Sequence, residues 1–366
     1  MELFTLNRKF IKQYEIDKFT SAIWTERYYG DSEIELVVPA TLDMIQQLPV
    51  GTFVGLVGSK EIMLVDTADN ESGQLKVTGQ GLLPFLNNRF IRDTPQHENR
   101  YWNFSGVPGW ALWAIVYYMC ISGNYPAGIP NPGQLVIPGL GLKGYDNSGA
   151  AVNFAIPYGP VYDAMRTIAT TYQIGIKITL ESATDTAYSL QFLSYKGLDH
   201  TSGQSANSIV RFSPQMDTLT GIKELQSISS YKTLVYSFCP PNPDGLADTI
   251  NPGSASVVGP TGFDLRAEMT FEEDITTDMV GGDVNVLAAI LNQRANQALQ
   301  DGRFVKAVDG QIVPLHQFQY GVDYNLGDII EVQGNSGVVQ QSRITEYIQA
   351  EDSAGERAYP TVAMLD

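Results

Sequence analysis

Thr20-Ser-Ala-Ile-Trp-Thr-Glu-Arg-Tyr-Tyr-Gly-Asp-Ser-Glu-Ile-Glu-Leu-Val-Val-Pro39 is the stretch on which the fold reading turns. Ile34, Leu36 and Val38 alternate with Glu33, Glu35 and Val37, the period of a half-buried strand. Gly30-Asp31 supplies a reversal ahead of it. Outward from this segment the same chemistry repeats. Gly58-Ser59 separates Phe53–Val57 from Glu61–Val65 as a tight hairpin turn, and Asn70-Glu-Ser-Gly73 turns the chain into Gln74–Gly79. Pro39 to Leu48 reads as a short helix or turn between strands. A lone hairpin cannot bury its apolar face, so serial hairpins predict a barrel or sandwich. No reactive residue set accompanies them.

The chain has 366 residues, enough for two or three domains. Hydrophobic residues make up 43%, sufficient for packed interiors, whereas charged residues are only 17%, below the roughly 25% usual in soluble proteins. With 19 Tyr, 15 Phe and 4 Trp, disorder is excluded. The net charge of −17 is uneven: residues 1–243 hold 21 acids and 17 bases, residues 244–366 hold 19 acids and 6 bases. This sign opposes nucleic-acid binding, which rests on Lys and Arg neutralising phosphates. It suits either a solvated face or the wall of a channel that DNA must not adhere to. Two cysteines, Cys120 and Cys239, are too few for a disulfide framework and read as buried free thiols. The opening Met-Glu-Leu-Phe-Thr-Leu lacks the basic and apolar regions of a signal peptide. Residues 101–142 contain no Asp, Glu, Lys or Arg, but their apolar part, Trp110 to Ile121, is short of the about 20 residues of a membrane-spanning helix. It predicts a buried helix closed by Gly123, and no integral membrane segment.

The spacings divide the chain into a strand-rich N-terminal unit (1–95), an α+β unit (96–205) and a second β unit (206–366) with an inserted helix at 283–301; that both β units are β-barrel domains is what the family resemblance given below implies. The fold class expected is α+β, mainly β. Tyr125–Gly149 is rich in Pro and Gly and reads as loop with at most one strand, Gln134–Ile137. Val161, Met165, Ile168 and Tyr172 predict a helix over Tyr158–Tyr172, followed by strands Ile174–Leu180 and Ala187–Phe192. Strands resume at Ile209–Phe212, Ile222–Ser227 and Thr233–Phe238, and an irregular stretch runs from Pro240 to about Gly262. Asp283–Gln300 is the best helix, with Asp283 as N-cap, Val286, Ile290, Leu291, Ala295, Ala298 and Leu299 as its stripe, and Gly302 as its stop. Strands Ile329–Gln333, Val338–Tyr347 and Thr361–Leu365 close the chain, the first preceded by a Gly327-Asp328 turn.

Chemistry-bearing patterns are weak. Gly139-Leu-Gly-Leu-Lys-Gly144 matches the dinucleotide fingerprint literally, but that motif needs a strand before it and a helix opening at it. A Pro-rich loop precedes it, so it reads as loop. His97, His200 and His316 lie far apart with no partner at metal-ligand spacing. Paired carboxylates can come from anywhere in a chain, and Glu272-Glu273-Asp274 with Asp278 is the densest candidate, though an exposed acidic loop explains it better. Tyr101, Trp102, Phe104, Trp110 and Trp113 could stack on sugar rings, with an aromatic core as the simpler reading. Asn70-Glu-Ser and Asn103-Phe-Ser are formal glycosylation sequons that carry no weight without secretion. No catalytic, cofactor-binding or metal-binding residue is assigned, and no cofactor is expected.

Longer phrases carry a family resemblance. Ser21-Ala-Ile-Trp-Thr-Glu-Arg-Tyr-Tyr-Gly-Asp-Ser-Glu-Ile-Glu-Leu-Val-Val-Pro-Ala40, Leu83-Pro-Phe-Leu-Asn-Asn-Arg-Phe90, Tyr324-Asn-Leu-Gly-Asp-Ile-Ile330, and Arg343-Ile-Thr-Glu-Tyr with Gly355-Glu-Arg-Ala-Tyr-Pro-Thr361 resemble the minor tail proteins of long-tailed actinobacteriophages (siphoviruses). The resemblance implies a tail-tip or baseplate hub component of the virion, made in the host bacterial cytoplasm. It implies two related β-barrels with inserted α+β elements, repeated in a homotrimer so that six similar units join the tail tube to the tip. Its implied partners are itself, the distal tail protein and the tape measure, with DNA passing through unbound. The alternatives are a tail-associated cell-wall hydrolase and a host-glycan or receptor-binding tip protein.

Overall fold

The computed structural model describes residues 1–92, 101–123, 131–184, 187–218, 220–239, 253–273, 275, 283–311, 317–335 and 339–365. The first unit contains β1 (Leu3–Leu6), β2 (Lys12–Ile16), β3 (Ser21–Arg27), β4 (Glu33–Pro39), α1 (Leu42–Gln47), β5 (Phe53–Leu56), β6 (Ile62–Glu71) and β7 (Gln74–Gly81). The middle contains β8 (Phe90–Ile91), β9 (Tyr101–Gly106), α2 (Pro108–Val116), β10 (Leu140–Gly144), β11 (Val152–Pro157), β12 (Gly159–Pro160), α3 (Val161–Tyr172), β13 (Gly175–Thr184) and β14 (Ala187–Tyr195). The remainder holds β15 (Arg211–Phe212), β16 (Thr220–Ser227), β17 (Leu234–Phe238), β18 (Gly253–Ser256), β19 (Ala267–Phe271), α4 (Val284–Asp301), β20 (Val305–Gln311), β21 (Ile329–Gln333), β22 (Val339–Asp352) and β23 (Gly355–Met364).

The opening hairpins form as the turn chemistry dictates. Gly30 and Asp31 both take positive φ (90° and 62°), as do Ser72 and Gly73 (54° and 80°), the backbone that a two-residue reversal between β6 and β7 requires. On β4, Ile34, Leu36 and Val38 are buried while Glu33 and Pro39 are exposed. Together with Trp24, Val54, Met63, Val65 and Val77 they form one core. Thr41 caps α1 by accepting from the Met44 amide at 3.3 Å.

The first and last thirds are joined in one sheet of 13 strands. Its main path runs β16-β20-β23-β22-β3-β4-β7-β6-β5-β1-β2, with β21 and β15 attached beside β22. The link is antiparallel pairing of β3 with β22, from Arg27 opposite Glu346 to Ala22 opposite Glu351. The fold is mainly β, as expected. The path is open, with β16 and β2 at its ends, and no pairing among the described residues closes it into a barrel.

The apolar helix of the charge-free stretch is largely buried by its own chain. Ala111, Leu112, Ile115 and Val116 of α2 pack on Val161, Met165 and Ile168 of α3 and on Ile176 and Phe192 beneath them. Gly109 lies so close to the Asp146 carbonyl that a Cβ there would sit 2.0 Å away. Beyond α2 the chain continues to Ile121 in a wider helical turn and stops at Gly123, φ 65°. Among the described residues no helix is long and apolar enough to cross a membrane.

Three local expectations are corrected. The strand in the Pro/Gly-rich stretch is not Gln134–Ile137, where Pro132–Leu135 form a 3-10 turn, but β10, which pairs parallel with β14. Two strands, β18 and β19, occupy ground read as irregular or left unassigned, and they flank β17 in a separate three-stranded sheet. β20 also went unassigned, although it is a rung of the large sheet. The helix α4 begins at the expected cap: Asp283 accepts from Asn285 and Val286 amides at 2.9 and 3.4 Å. Its buried stripe is Leu287, Ile290, Leu291, Ala295 and Leu299, with Val286 at the margin.

Candidate functional site

Tyr28, at the end of β3, is where the three parts of the chain meet. It is fully buried. Its amide donates to the Thr345 carbonyl at 2.8 Å, and its own carbonyl accepts from the Ile176 amide at 3.0 Å. Its hydroxyl lies 3.2 Å from the carbonyl oxygens of Gln173 and Tyr195. Two glycines make room for the ring. A Cβ on Gly175 would fall 2.2 Å from it and one on Gly327 2.3 Å. Gly327 also has φ 91°, so glycine is required there twice over. The Arg343 guanidinium sits 5.4 Å from the Tyr28 ring centre and donates to the Gly327 carbonyl at 2.7 Å. Burial pushes the Tyr28 hydroxyl up to about 12, against the pull of Arg343, so it remains a neutral donor.

Beside this knot is a cavity of about 670 Å³ at the same three-way junction, lined among others by Glu26, Glu61, Lys177, Tyr320, Tyr324 and Tyr347. Two carboxyl groups are buried on its wall. Glu26 accepts from Trp24 Nε1 at 3.1 Å, from Ser59 Oγ at 2.5 Å and from the Tyr320 hydroxyl at 3.0 Å. Glu61 accepts from Ser32 Oγ at 2.8 Å, and its amide donates to Ser59 Oγ at 3.0 Å. Burial, and next the charge of Glu26, push Glu61 to about 8, while the Ser32 hydrogen bond and Lys177 pull the other way. Glu61 therefore keeps its proton at neutral pH, because burial beside another carboxyl group disfavours its charged form. Tyr320 stacks on Tyr347 at 3.7 Å, which ties the segment before β21 to β22.

A second polar cluster extends from the knot. Buried Asp328 accepts from the Leu198 and Asn325 amides at 2.6 and 2.7 Å and faces His200 Nε2 at 3.4 Å. Glu331 takes a two-pronged contact from Arg211 at 2.8 and 2.6 Å and a further bond from the Ser202 amide. Arg27 bridges Glu33 and Glu346, both at 2.6 Å. Every one of these groups is engaged by the protein's own donors and acceptors. The arrangement braces three segments.

The residues singled out from sequence fall elsewhere. Of Gly139–Gly144, Gly139 is a turn residue and Leu140–Gly144 form β10, extended and followed by no helix, so the amides serve a sheet and form no phosphate cradle. Of the acidic group, Glu272 faces Arg294 at 3.6 Å and Glu273 is exposed; Asp274 and Asp278 lie outside the described residues. His200 is a buried neighbour of Asp328, whereas His97 and His316 lie outside the described residues. Among the described residues no His, Cys, Asp and Glu group is arranged to hold a metal. Cys120 is buried and Cys239 half-buried, both free thiols.

The aromatics form a packed group. Phe104 stacks on Phe154 at 5.3 Å and meets Trp110 edge-on at 5.5 Å, and Trp102 lies 4.6 Å from Phe104. Trp113 stacks on Tyr117 at 5.2 Å, nearer the surface. Glu61, Gly175 and Tyr320 were not flagged by sequence. The only hint was Glu61 opening a strand whose next residues, Ile62 and Met63, are apolar.

A family model described as Siphovirus ReqiPepy6 Gp37-like protein matches residues 1–236 and 263–362. No curated protein is matched. Among solved structures, a tail protein from Neisseria meningitidis MC58 superposes with TM-score 0.58 at 12% identity, covering 99% of this chain and 96% of that one. The prophage tail protein gp18 from Listeria monocytogenes EGD-e gives 0.56 at 10% identity, with 99% and 94% covered. The 43 kDa tail protein of prophage MuSo2 from Shewanella oneidensis gives 0.55 at 14%, with 99% and 98% covered. At these identities the likeness is one of fold, and it extends over the whole chain.

Proposed function

This chain belongs to the Siphovirus ReqiPepy6 Gp37-like protein family, and we propose from that membership and its tail-protein fold that it is a structural component of a long-tailed phage's tail. The observation that carries the reading is where the most distinctive phrases meet. Tyr28 of the first and Gly327-Asp328 of the third converge on one buried junction, and what converges there is packing and hydrogen bonding. A part whose most specific residues brace its own segments is built to hold a shape under load.

In finer terms the chain is a hub ring subunit at the tail tip, present in three copies, between the distal tail protein and the tape measure. The acidic bias of residues 244–366 supports a surface that DNA passes without adhering. Imaging of particles carrying a labelled copy tests this. Signal at the tip in threefold stoichiometry supports the ring; signal along the tube or on the head overturns it.

A non-enzymatic role accompanies the proposal. The Glu26–Glu61 pair is an arrangement among the described residues that favours the hydrolase alternative, since it lines a cavity. Glu26, however, already accepts from three protein donors. A zymogram of the purified chain against host cell wall is expected to stay blank; clearing that disappears in Glu61→Gln would reverse the assignment.

A further inference from the structure

The sheet of β18, β17 and β19 carries its apolar residues on the wrong side for its own chain. By register, Leu234, Tyr236 and Phe238 of β17 stand beside Ala267, Met269 and Phe271 of β19 on one face. That face points away from α4. Tyr236, Met269 and Phe271 are exposed, and Phe238 stacks on Phe271 at 5.7 Å. The opposite face, toward α4, holds Val235 and Ala255 but also Ser237 and Thr270, whose hydroxyls bond each other at 2.7 Å. Gly253 brings β18 so near α4 that a Cβ would lie 2.1 Å from the Leu291 backbone. Helix and sheet are thus closed tightly over small and polar groups, and the larger side chains are left outside.

The loop from β18 to β19 adds to this surface. It crosses the start of β17, where Val257 donates to the Thr233 carbonyl and the Arg266 carbonyl accepts from Thr233. On it Val258 is 97% and Phe263 fully exposed.

We propose that this face is the contact through which a second copy of the chain docks. The inference rests on the reading that copies assemble, and names the surface that joins them. Area supports it: with Val258, Phe263, Leu265, Met269, Phe271 and Tyr236 exposed as they are, the total surface these residues leave open is on the order of 800 Å², comparable to what one partner contributes to a standard stable interface. Charge supports it as well. Each copy carries −17, and residues 244–366 are its most acidic part, yet the outward positions of the three strands hold no charged side chain. Neighbouring copies in the ring repel elsewhere, and this face adds no acid to the contact between them. A basic partner would find its complement on the acidic surface around this face.

The test is the mass of the full chain by light scattering after size exclusion, for wild type and for a Met269→Asp, Phe271→Asp double variant. The wild type is expected as an oligomer and the variant as a single chain with unchanged circular dichroism. A variant that keeps the wild-type mass overturns this face as the contact and leaves assembly of copies standing. A wild type that stays a single chain at high concentration overturns both. A Ser254→Cys variant, which leaves the apolar side chains in place, gives an independent reading. Its thiol is expected to react with maleimide several-fold more slowly in the oligomer than after dilution, and equal rates would refute the contact.

Discussion

β4 and β19 have the same alternating grammar and opposite outcomes. In β4, Ile34, Leu36 and Val38 point into a core and the acids point out. In β19, Met269 and Phe271 point out, while Glu268 and Thr270 turn toward the helix side. A period of two tells which residues share a face. It does not tell which face the protein covers itself. The first strand belongs to a unit that completes its own core, and the second to a sheet whose larger side chains are left for something else to bury.

Mutations should separate the two cases. The largest effect is expected at the self-covered end: Tyr28→Ala removes a fully buried aromatic that three segments share, at a cost of about 3–5 kcal/mol in denaturant unfolding. Tyr28→Phe, which keeps the ring, should lose only about 1 kcal/mol. Gly175→Ala is predicted next, at about 1–3 kcal/mol, because the new Cβ cannot avoid the Tyr28 ring.

The same junction should show in a pH series. Below the ordinary carboxylate range Glu61 is protonated in folded and unfolded chains alike and adds no slope. From there to about pH 8 the folded chain retains a proton that the unfolded chain has released, so stability falls as pH rises, and levels off above. Melting temperatures of Glu61→Gln should lack that decline and exceed wild type at pH 8 to 9; an unchanged slope would place the titration elsewhere. A smaller loss, about 1 kcal/mol, is expected for Asp283→Ala by chemical denaturation, through the uncapped start of α4. Phe271→Ser closes the series. Measured on the single chain, its effect should stay within about 0.5 kcal/mol, as for an ordinary surface site. A loss as large as at Tyr28 would erase the distinction between the two strands.

The hairpin turns and the longer helices were legible because their signals are local. Turns at Gly30-Asp31 and Ser72-Gly73 require positive φ, Asp283 caps its own helix, and Val161, Met165 and Ile168 share a stripe one turn apart. β10, β18 and β20 were not, for each is extended mainly because a partner strand lies beside it: β14, β17, and β16 with β23. Propensity yields to such pairing. The carboxylate pair was sought at Glu272-Glu273, where acids are dense along the chain. It lies at Glu26 and Glu61, separated by two strands and a helix.

By itself the sequence determined the hairpins, the helices, the buried charge-free segment and the family, since each is written in neighbouring residues or whole phrases. Only the tertiary structure decided that β3 pairs with β22, that Gly175 and Gly327 yield to one tyrosine, and that Glu61 keeps its proton. The same holds for which face of β17 and β19 is left bare. The reason is that close approach, desolvation and coverage are properties of segments brought together from distant parts of the chain, and no local pattern encodes a distance between them.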